Sequence, residues 1–407
     1  MKHSILSQTS QSLKLRFQLS PEETRLANSE SLSPGERQEQ VMQKALADYL
    51  QAHPHEYARP PQLKLLSDSN LGMSFACELE SYPEVKLPTD LHFKLEVPAL
   101  QAPEQSEIQT LLQSLQIQNG DQSPVERPSQ WGDILVIDTM ASCLGQYLPG
   151  SAKHRQAVIL DPALQSDAFL AGLVGLSAGQ KVEITQTISD THAHAAWRGK
   201  ASHSAVYVHE VKSLRIPPAE LLAQALGTEN LEALLDHLYQ EVKQAKTQSW
   251  REKIREQLAD RLISQSVLNL PASWIEGELA GRWKSQDEHI LRQLTALPQS
   301  QDVLKKGLMN LKLLPYMAAQ ASRDLKLRVI LHAIAQAEQL GLSGPELEVR
   351  FQTLAPDQPF QKTVSQLKDR PEAATILGIW LSEKVMNWLM AHAELSCQGQ
   401  ILQSGQG

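Results

Sequence analysis

Between Phe169 and Leu214 the chain compresses three instructions into a short span, and they leave little freedom for what this part can fold into. Gly172-Leu173-x-Gly175 has the spacing of a short helix laid closely on a sheet, and Gly179 supplies the positive φ that turns the chain into a strand. Lys181-Val182-Glu183-Ile184 then alternates polar and apolar, as a half-buried strand does, and Val206-Tyr207-Val208-His209-Glu210-Val211 ends a second alternating segment. Helix, glycine turn and strand therefore follow one another directly.

The rest of the chain divides around this segment. At 407 residues it is too long for one core, and two to four domains are expected. Leu13-x-Leu15-x-Phe17-x-Leu19 alternates as a strand, Ser20-Pro21-Glu22-Glu23 reads as a helix start, and Ser33-Pro34-Gly35-Glu36 repeats that capping signal. It precedes Val41, Met42, Ala45, Leu46, Tyr49 and Leu50 on one helical face. Segments 63–66, 73–79 and 91–97 are expected to complete a small sheet. A connector around Pro98 to Pro103 and an amphipathic helix over Ile108 to Leu115 follow. Ile134 to Ile137 reads as a buried strand, and Gly145 to Gly150 as a loop.

Ile216-Pro217-Pro218 ends the strand-rich part. Leu231, Leu234, Leu235, Leu238 and Val242, continued by Trp250, Ile254, Leu258 and Leu262, predict a helix or helix pair of unusual length. Further helices are expected near 272–295, 299–341, 344–354, 358–368 and 371–394. The fold class is thus α+β multidomain.

Composition excludes more than it assigns. A net charge of −8 argues against general DNA or RNA binding, which needs clustered Lys and Arg. The N-terminus lacks the apolar core of a secretory signal, and no apolar run is long enough to span a membrane, so a cytoplasmic location is expected. Cys77, Cys143 and Cys397 are scattered and odd in number, which suggests neither a disulfide framework nor a zinc cluster.

Three motifs bear on chemistry. Gly175-Leu176-Ser177-Ala178-Gly179 has the letters of a nucleophile elbow, but that elbow needs a strand before the serine and a helix after it, the reverse of the order here. Asp190, His192 and His194, with His203 and His209 nearby, offer metal-ligand atoms without recurring at ligand spacing, so no metal and no cofactor is assigned. Trp274, Trp283, Trp380 and Trp388 with Met309, Met317, Met386 and Met390 read mainly as packing residues. Where such side chains are partly exposed they can adapt to many apolar partners. Phosphate-binding loops of the Walker type are absent from the sequence, so no nucleotide is implied.

Read together, the chain resembles bacterial trigger factor over nearly its whole length. The resemblance rests on Tyr82-Pro83-Glu84-Val85, on Gly132-Asp133-Ile134-Leu135-Val136-Ile137-Asp138, on the glycine-rich segment, on Trp197-Arg198-Gly199-Lys200-Ala201, and on Leu258-Ala259-Asp260-Arg261-Leu262 through Leu270-Pro271-Ala272. It implies an N-terminal α+β domain over residues 1–103 and a linker helix with a β-sheet domain of the FKBP-type prolyl isomerase kind over 104–217. An elongated all-α C-terminal chaperone domain with arms over 218–395 and a disordered tail over 396–407 complete the expected layout. The implied function is an ATP-independent chaperone for unfolded or nascent polypeptides, with client-binding residues Met309, Leu313, Tyr316, Met317, Trp380 and Trp388.

Two departures touch function. The family docks on the ribosome through a loop of the form G-F-R-x-G-x-x-P. The nearest counterpart, Gly35 to Met42, keeps only Gly35 and Arg37, and an equally good alignment places Arg37-Gln38-Glu39 in the helix after a deleted loop. Ribosome binding is therefore expected to be weak at best. The isomerase lining falls on Thr139, Leu148, Ser166, Phe169, His192 and Ser204, where Phe169 alone keeps an aromatic ring. Since a rigid apolar wall is what favours a twisted amide, activity is expected to be weak or absent. The alternatives are an active peptidyl-prolyl cis-trans isomerase and a dedicated adaptor for one partner protein.

Overall fold

The computed structural model describes residues 2–9, 12–24, 33–53, 61–69, 72–164, 167–192, 194–354, 372–397 and 400–401. These form an α+β chain in two compact units. One comprises Met1–Leu91, Arg261–Leu270 and Lys326–His392, and the other His92–Asp260, Pro271–Leu325 and Ala393–Gly407.

In the first unit, β1 (Lys2–Gln8), β2 (Ser12–Leu19), β3 (Gln62–Ser69) and β4 (Gly72–Glu80) make an antiparallel sheet of order β1-β2-β4-β3. Period-two alternation sends Leu13, Leu15, Phe17 and Leu19 to one buried face. Helix α1 (Pro34–Ala52) covers it with Val41, Met42, Ala45, Leu46 and Tyr49. Phe17 and Phe75 are cross-strand partners with stacked rings 4.7 Å apart, and Tyr49 meets Phe17 edge-on at 5.5 Å. The expected capping box is formed: Ser33 Oγ accepts from Glu36 N, and Ser33 N donates to Glu36 Oε2 at 2.9 Å. Strand β1 was not expected from the sequence, because all its positions are exposed and nothing apolar alternates there.

The second unit is organised by a six-stranded sheet. Strand β7 (Ile134–Cys143) runs between β11 (Ala201–Arg215) and β9 (Lys153–Ile159), while β6 (Asp121–Pro124) and β10 (Lys181–Thr187) pair with β11. The short β8 (Gln146–Tyr147) returns onto β7 within the stretch expected to be a loop. Leu135 and Ile137 face a core with Val206, Val208 and Ile184, closed by Leu170 and Leu173 of α3 (Ala168–Leu173). Gly172 lets α3 approach, since a Cβ there would stand 3.0 Å from three Ile184 carbons. Gly179 has φ +85° in the turn that follows, as expected.

Met140, Cys143, Tyr147 and Trp197 enter a second core, whose other wall is helical. That wall comprises α6 (Ala272–Arg282), a π-helical turn at Trp283–Glu288, α7 (His289–Gln293), α8 (Gln299–Lys306), α9 (Met309–Lys312) and the start of α10 (Pro315–Ala337). Helix α2 (Gln105–Gln118) and α4 (Ala219–Ala225) pack on the beginning of α5 (Leu231–Gln265), the unusually long helix the heptad-like spacing predicts.

Some expectations are corrected. The helix expected over 299–341 is three helices. Gly307 at φ +51° ends α8, and Pro315, which disfavours helical geometry in the residue before it, separates α9 from α10. Segment 91–97 does not join the N-terminal sheet: β5 (Lys94–Glu96) pairs in parallel with β12 (Glu394–Cys397), which also pairs with β13 (Gln400–Ile401). These last two strands lie at the place where a tail was expected to begin. Pro21 to Thr24 form a turn, and the remainder of the helix expected after Ser20, like the one expected at 358–368, lies outside the described residues. Helices α11 (Gly344–Leu354) and α12 (Glu372–His392) follow the reading. Among the described residues, no helix is long and apolar enough to cross a membrane.

Candidate functional site

The positions expected to line an isomerase pocket do not converge. On the ladder between β7 and β11, Thr139 stands opposite Val206 and Ser204 opposite Ala141, so Thr139 and Ser204 share a sheet face, with Ser204 only 3% exposed. Phe169 on α3 is half-buried against the core that contains Val206. These three belong together. Leu148 and His192 turn elsewhere: Leu148 packs on the second core, and the His192 ring lies 5.5 Å from Trp197 of that same core. His192 Nδ1 is spent accepting from His194 N at 3.0 Å. Ser166 lies outside the described residues. Two aromatic residues absent from the expected lining are placed beside it. Trp131 packs on the first core, and Trp197, 2% exposed, centres the second. Their positions before β7 and β11 give no alternation by which to assign a face.

What fills the second core also bears on the expected client surface. Tyr316 packs at a tilt against His194 at 4.7 Å and edge-on against Trp197 at 5.7 Å, and Met317 is 7% exposed, so both are packing residues. Met309 and Leu313, one helical turn apart, are instead 52% and 56% exposed. The tryptophans belong to the other unit. Trp380 is buried edge-on against Phe351 with Arg350 over its face, and Trp388 is half-buried beside His392. Burial leaves Met309 and Leu313 as the open apolar pair among the six.

The second core is polar at one point. Asp287, in the π-helical turn and 2% exposed, accepts from Tyr147 Oη at 2.5 Å and from Gly150 N at 2.7 Å. Burial, then the neighbouring Asp287 carboxylate, pushes the Tyr147 hydroxyl well above its ordinary pKa. Tyr147 therefore acts as a neutral donor, a structural role. Cys77 is equally inert as a thiolate, pushed up to about 12 by burial first and Glu78 second. The elbow-like Ser177 lies between α3 and β10, in the order that rules out a nucleophile elbow.

Gly35 and Arg37 are in the first turn of α1, behind the Ser33 cap, so residues 35–42 are helix and not a docking loop. The alignment that treats Gly35 to Met42 as the loop is thereby set aside in favour of the one that places Arg37-Gln38-Glu39 in a helix.

Comparison with known proteins places the chain beside one family. Residues 230–391 fit the family model for the bacterial trigger factor C-terminus. The chain is 25% identical over 370 residues to the trigger factor of Thiobacillus denitrificans, covering 88% of this chain and 82% of that one. It is 25% identical over 343 residues to that of Nitrosococcus oceani, covering 83% and 74%. The chain is thus similar to bacterial trigger factors over most of its length. A solved structure described as a trigger factor chaperone with promiscuous substrate recognition in folding and assembly aligns with 96% of the chain at 18% identity and a TM-score of 0.34. The alignments to these two relatives span the strand-rich as well as the helical part of the sequence.

Proposed function

We propose that this chain is an ATP-independent chaperone that holds unfolded or nascent polypeptides through small apolar patches and releases them to their own folding. The observation that carries this reading is the trigger-factor match over the helical residues 230–391 together with the open pair Met309 and Leu313 inside it. Apolar side chains exposed a turn apart at the end of a short helix offer a client burial without a deep pocket, and several such contacts raise one another's effective concentration. A domain division at about residues 103 and 217 and a cytoplasmic location belong to the same proposal.

Isomerase activity is weak or lost in this reading. The X-Pro barrier of about 18–20 kcal/mol is lowered by an enclosed apolar site, and here the expected lining is divided between two cores. Ribosome association is also weak, since Arg37 sits beside Glu36 and Glu39 on a helix where a basic loop tip would be needed.

Light scattering of an aggregating client tests the chaperone reading. Stoichiometric protein is expected to suppress the scattering, and Met309→Ser with Leu313→Ser to suppress it less at unchanged helix content. Unaltered scattering with the unsubstituted protein overturns the proposal. A proline-limited refolding reaction, ordinarily taking tens of seconds or longer, is expected to show little acceleration. Co-sedimentation with ribosomes at physiological salt is expected to show no stable complex.

A further inference from the structure

The face of the central sheet around Asp138 carries a grouping that the chaperone reading does not use. Asp138 on β7 is 1% exposed, an uncommon place for a carboxylate, and its Oδ1 lies 3.0 Å from His154 Nδ1 on β9 and 2.8 Å from His209 Nε2 on β11. The three ligand atoms all lie within 4.8 Å of one another. The two imidazoles approach at 90° with centroids 6.0 Å apart. Both ring nitrogens are buried and lie within ion-pair distance of the carboxylate, yet neither makes a hydrogen bond.

The backbone is shaped for this convergence. The ladder between β7 and β11 slips between Val208 and Glu210, leaving His209 as the extra residue of a bulge. The ladder between β7 and β9 slips between Ile137 and Thr139, so that His154 and Arg155 together face Asp138. Bulges re-aim side chains that regular pairing would send elsewhere. Arg155 takes φ +46°, in the region that favours glycine, and its N–H donates to Asp138 Oδ1 at 2.9 Å while its guanidinium pairs with Glu210. A backbone donor on the carboxylate is the orienting contact that metal-binding carboxylates ordinarily have.

We propose that Asp138, His154 and His209 form a site for one divalent late first-row metal ion, of which Zn²⁺ is the probe. Two imidazoles and one carboxylate suit such an ion, whereas the hard Mg²⁺ and Ca²⁺ prefer oxygen throughout. Tetrahedral ligands about 2.0–2.1 Å from zinc stand about 3.3 Å apart, so the two distances from the Asp138 carboxylate to the imidazoles, 3.0 and 2.8 Å, need open by only a few tenths of an ångström. Side-chain exposures of 30% for His154 and 18% for His209 leave the ion a path in. Bound there, it clips β9 and β11 to the strand between them.

The test uses the full-length untagged chain, stripped with a chelator and titrated with Zn²⁺ by calorimetry, with Co²⁺ absorption as a second readout. One equivalent at micromolar affinity or better is expected, with Co²⁺ giving the visible bands of nitrogen and oxygen ligation. His154→Ala and His209→Ala are each expected to weaken Zn²⁺ binding at least about tenfold, while His192→Ala and His203→Ala leave it unchanged. Circular dichroism shows whether each variant keeps its fold. No saturable binding to the unsubstituted chain, or undiminished affinity in folded His154→Ala/His209→Ala, overturns the proposal. If that double variant does not fold, the Co²⁺ spectrum of the unsubstituted chain decides, and lack of ligand-field bands overturns it equally.

Discussion

The two large sheets solve the same packing problem with opposite tolerance for polarity. The N-terminal sheet puts an unbroken alternating face of Leu13, Leu15, Phe17 and Leu19 against α1, and its core is Leu, Phe, Met, Val, Ala, Tyr and Cys. The central sheet is covered on both faces, and buries Asp138, Ser202 and Ser204 along with a helical Asp287 contact. The difference follows where the register slips fall. In the N-terminal sheet the slips lie on the outer ladders, β1 with β2 and β3 with β4, while the β2–β4 ladder that carries the apolar face runs unbroken. In the central sheet they lie on both ladders of the inner strand β7, where polar side chains are turned toward one another.

The largest expected effect breaks the N-terminal sheet. Phe75 is fully buried and stacked on Phe17, so Phe75→Ala is expected to cost about 3–5 kcal/mol in chemical denaturation. A cost below about 1 kcal/mol would show that the site collapses without loss and that this core is not closely packed. A smaller effect is expected at the polar point of the central unit. Tyr147→Phe removes one of the donors on buried Asp287 and an acceptor 3.3 Å from Ala152 N, at an expected cost of about 1–3 kcal/mol. Neutral behaviour there would mean that Gly150 N alone satisfies the carboxylate, and the contrast between the two cores would be one of composition only.

These contrasts show what the sequence could reveal. The α+β class, the α3 and glycine-turn segment, the α1 cap and the long α5 all rest on local signals, namely period, capping and glycine placement, which act within a few residues. Parallel pairing of β5 with β12 depends on residues at opposite ends of the chain, and no local pattern announces it. The Asp138 grouping was hidden for the same reason. His209 stood out beside the His192 and His194 cluster, but Asp138 and His154 lie on other strands and are united only by two bulges. The expected pocket lining failed at Leu148 and His192 because both follow turns whose direction alternation cannot fix.

The α1 cap gives the next prediction in size. Ser33→Ala removes the acceptor for Glu36 N and the hydroxyl that holds the Glu36 carboxylate below its ordinary pKa, at an expected cost of about 1 kcal/mol. Since α1 is the sole helix in the core of the N-terminal sheet among the described residues, loosening its first turn should lower the midpoint of that region in the way the Tyr147 change lowers the other.

The smallest effect is ionic and lies near the surface. Glu346 at the start of α11 accepts from Lys384 of α12 at 2.8 Å and from Ser343 Oγ at 2.6 Å. Lys384 first, then Ser343, hold its carboxyl at about 2 in place of 4.5. A folded-state pKa below the unfolded one means that the contact's contribution is fully present above about pH 4.5 and is lost as pH falls toward 2. Glu346→Gln is therefore expected to lower stability slightly at neutral pH and to flatten its decline between those limits, as read from parallel acid titrations of the two proteins. Solvent screening keeps the change small. If the two acid profiles coincide, the Glu346 and Lys384 pair contributes nothing to stability. The polar contacts that matter in this chain would then be confined to buried positions such as Asp287, where an unpaired oxygen has no water to turn to.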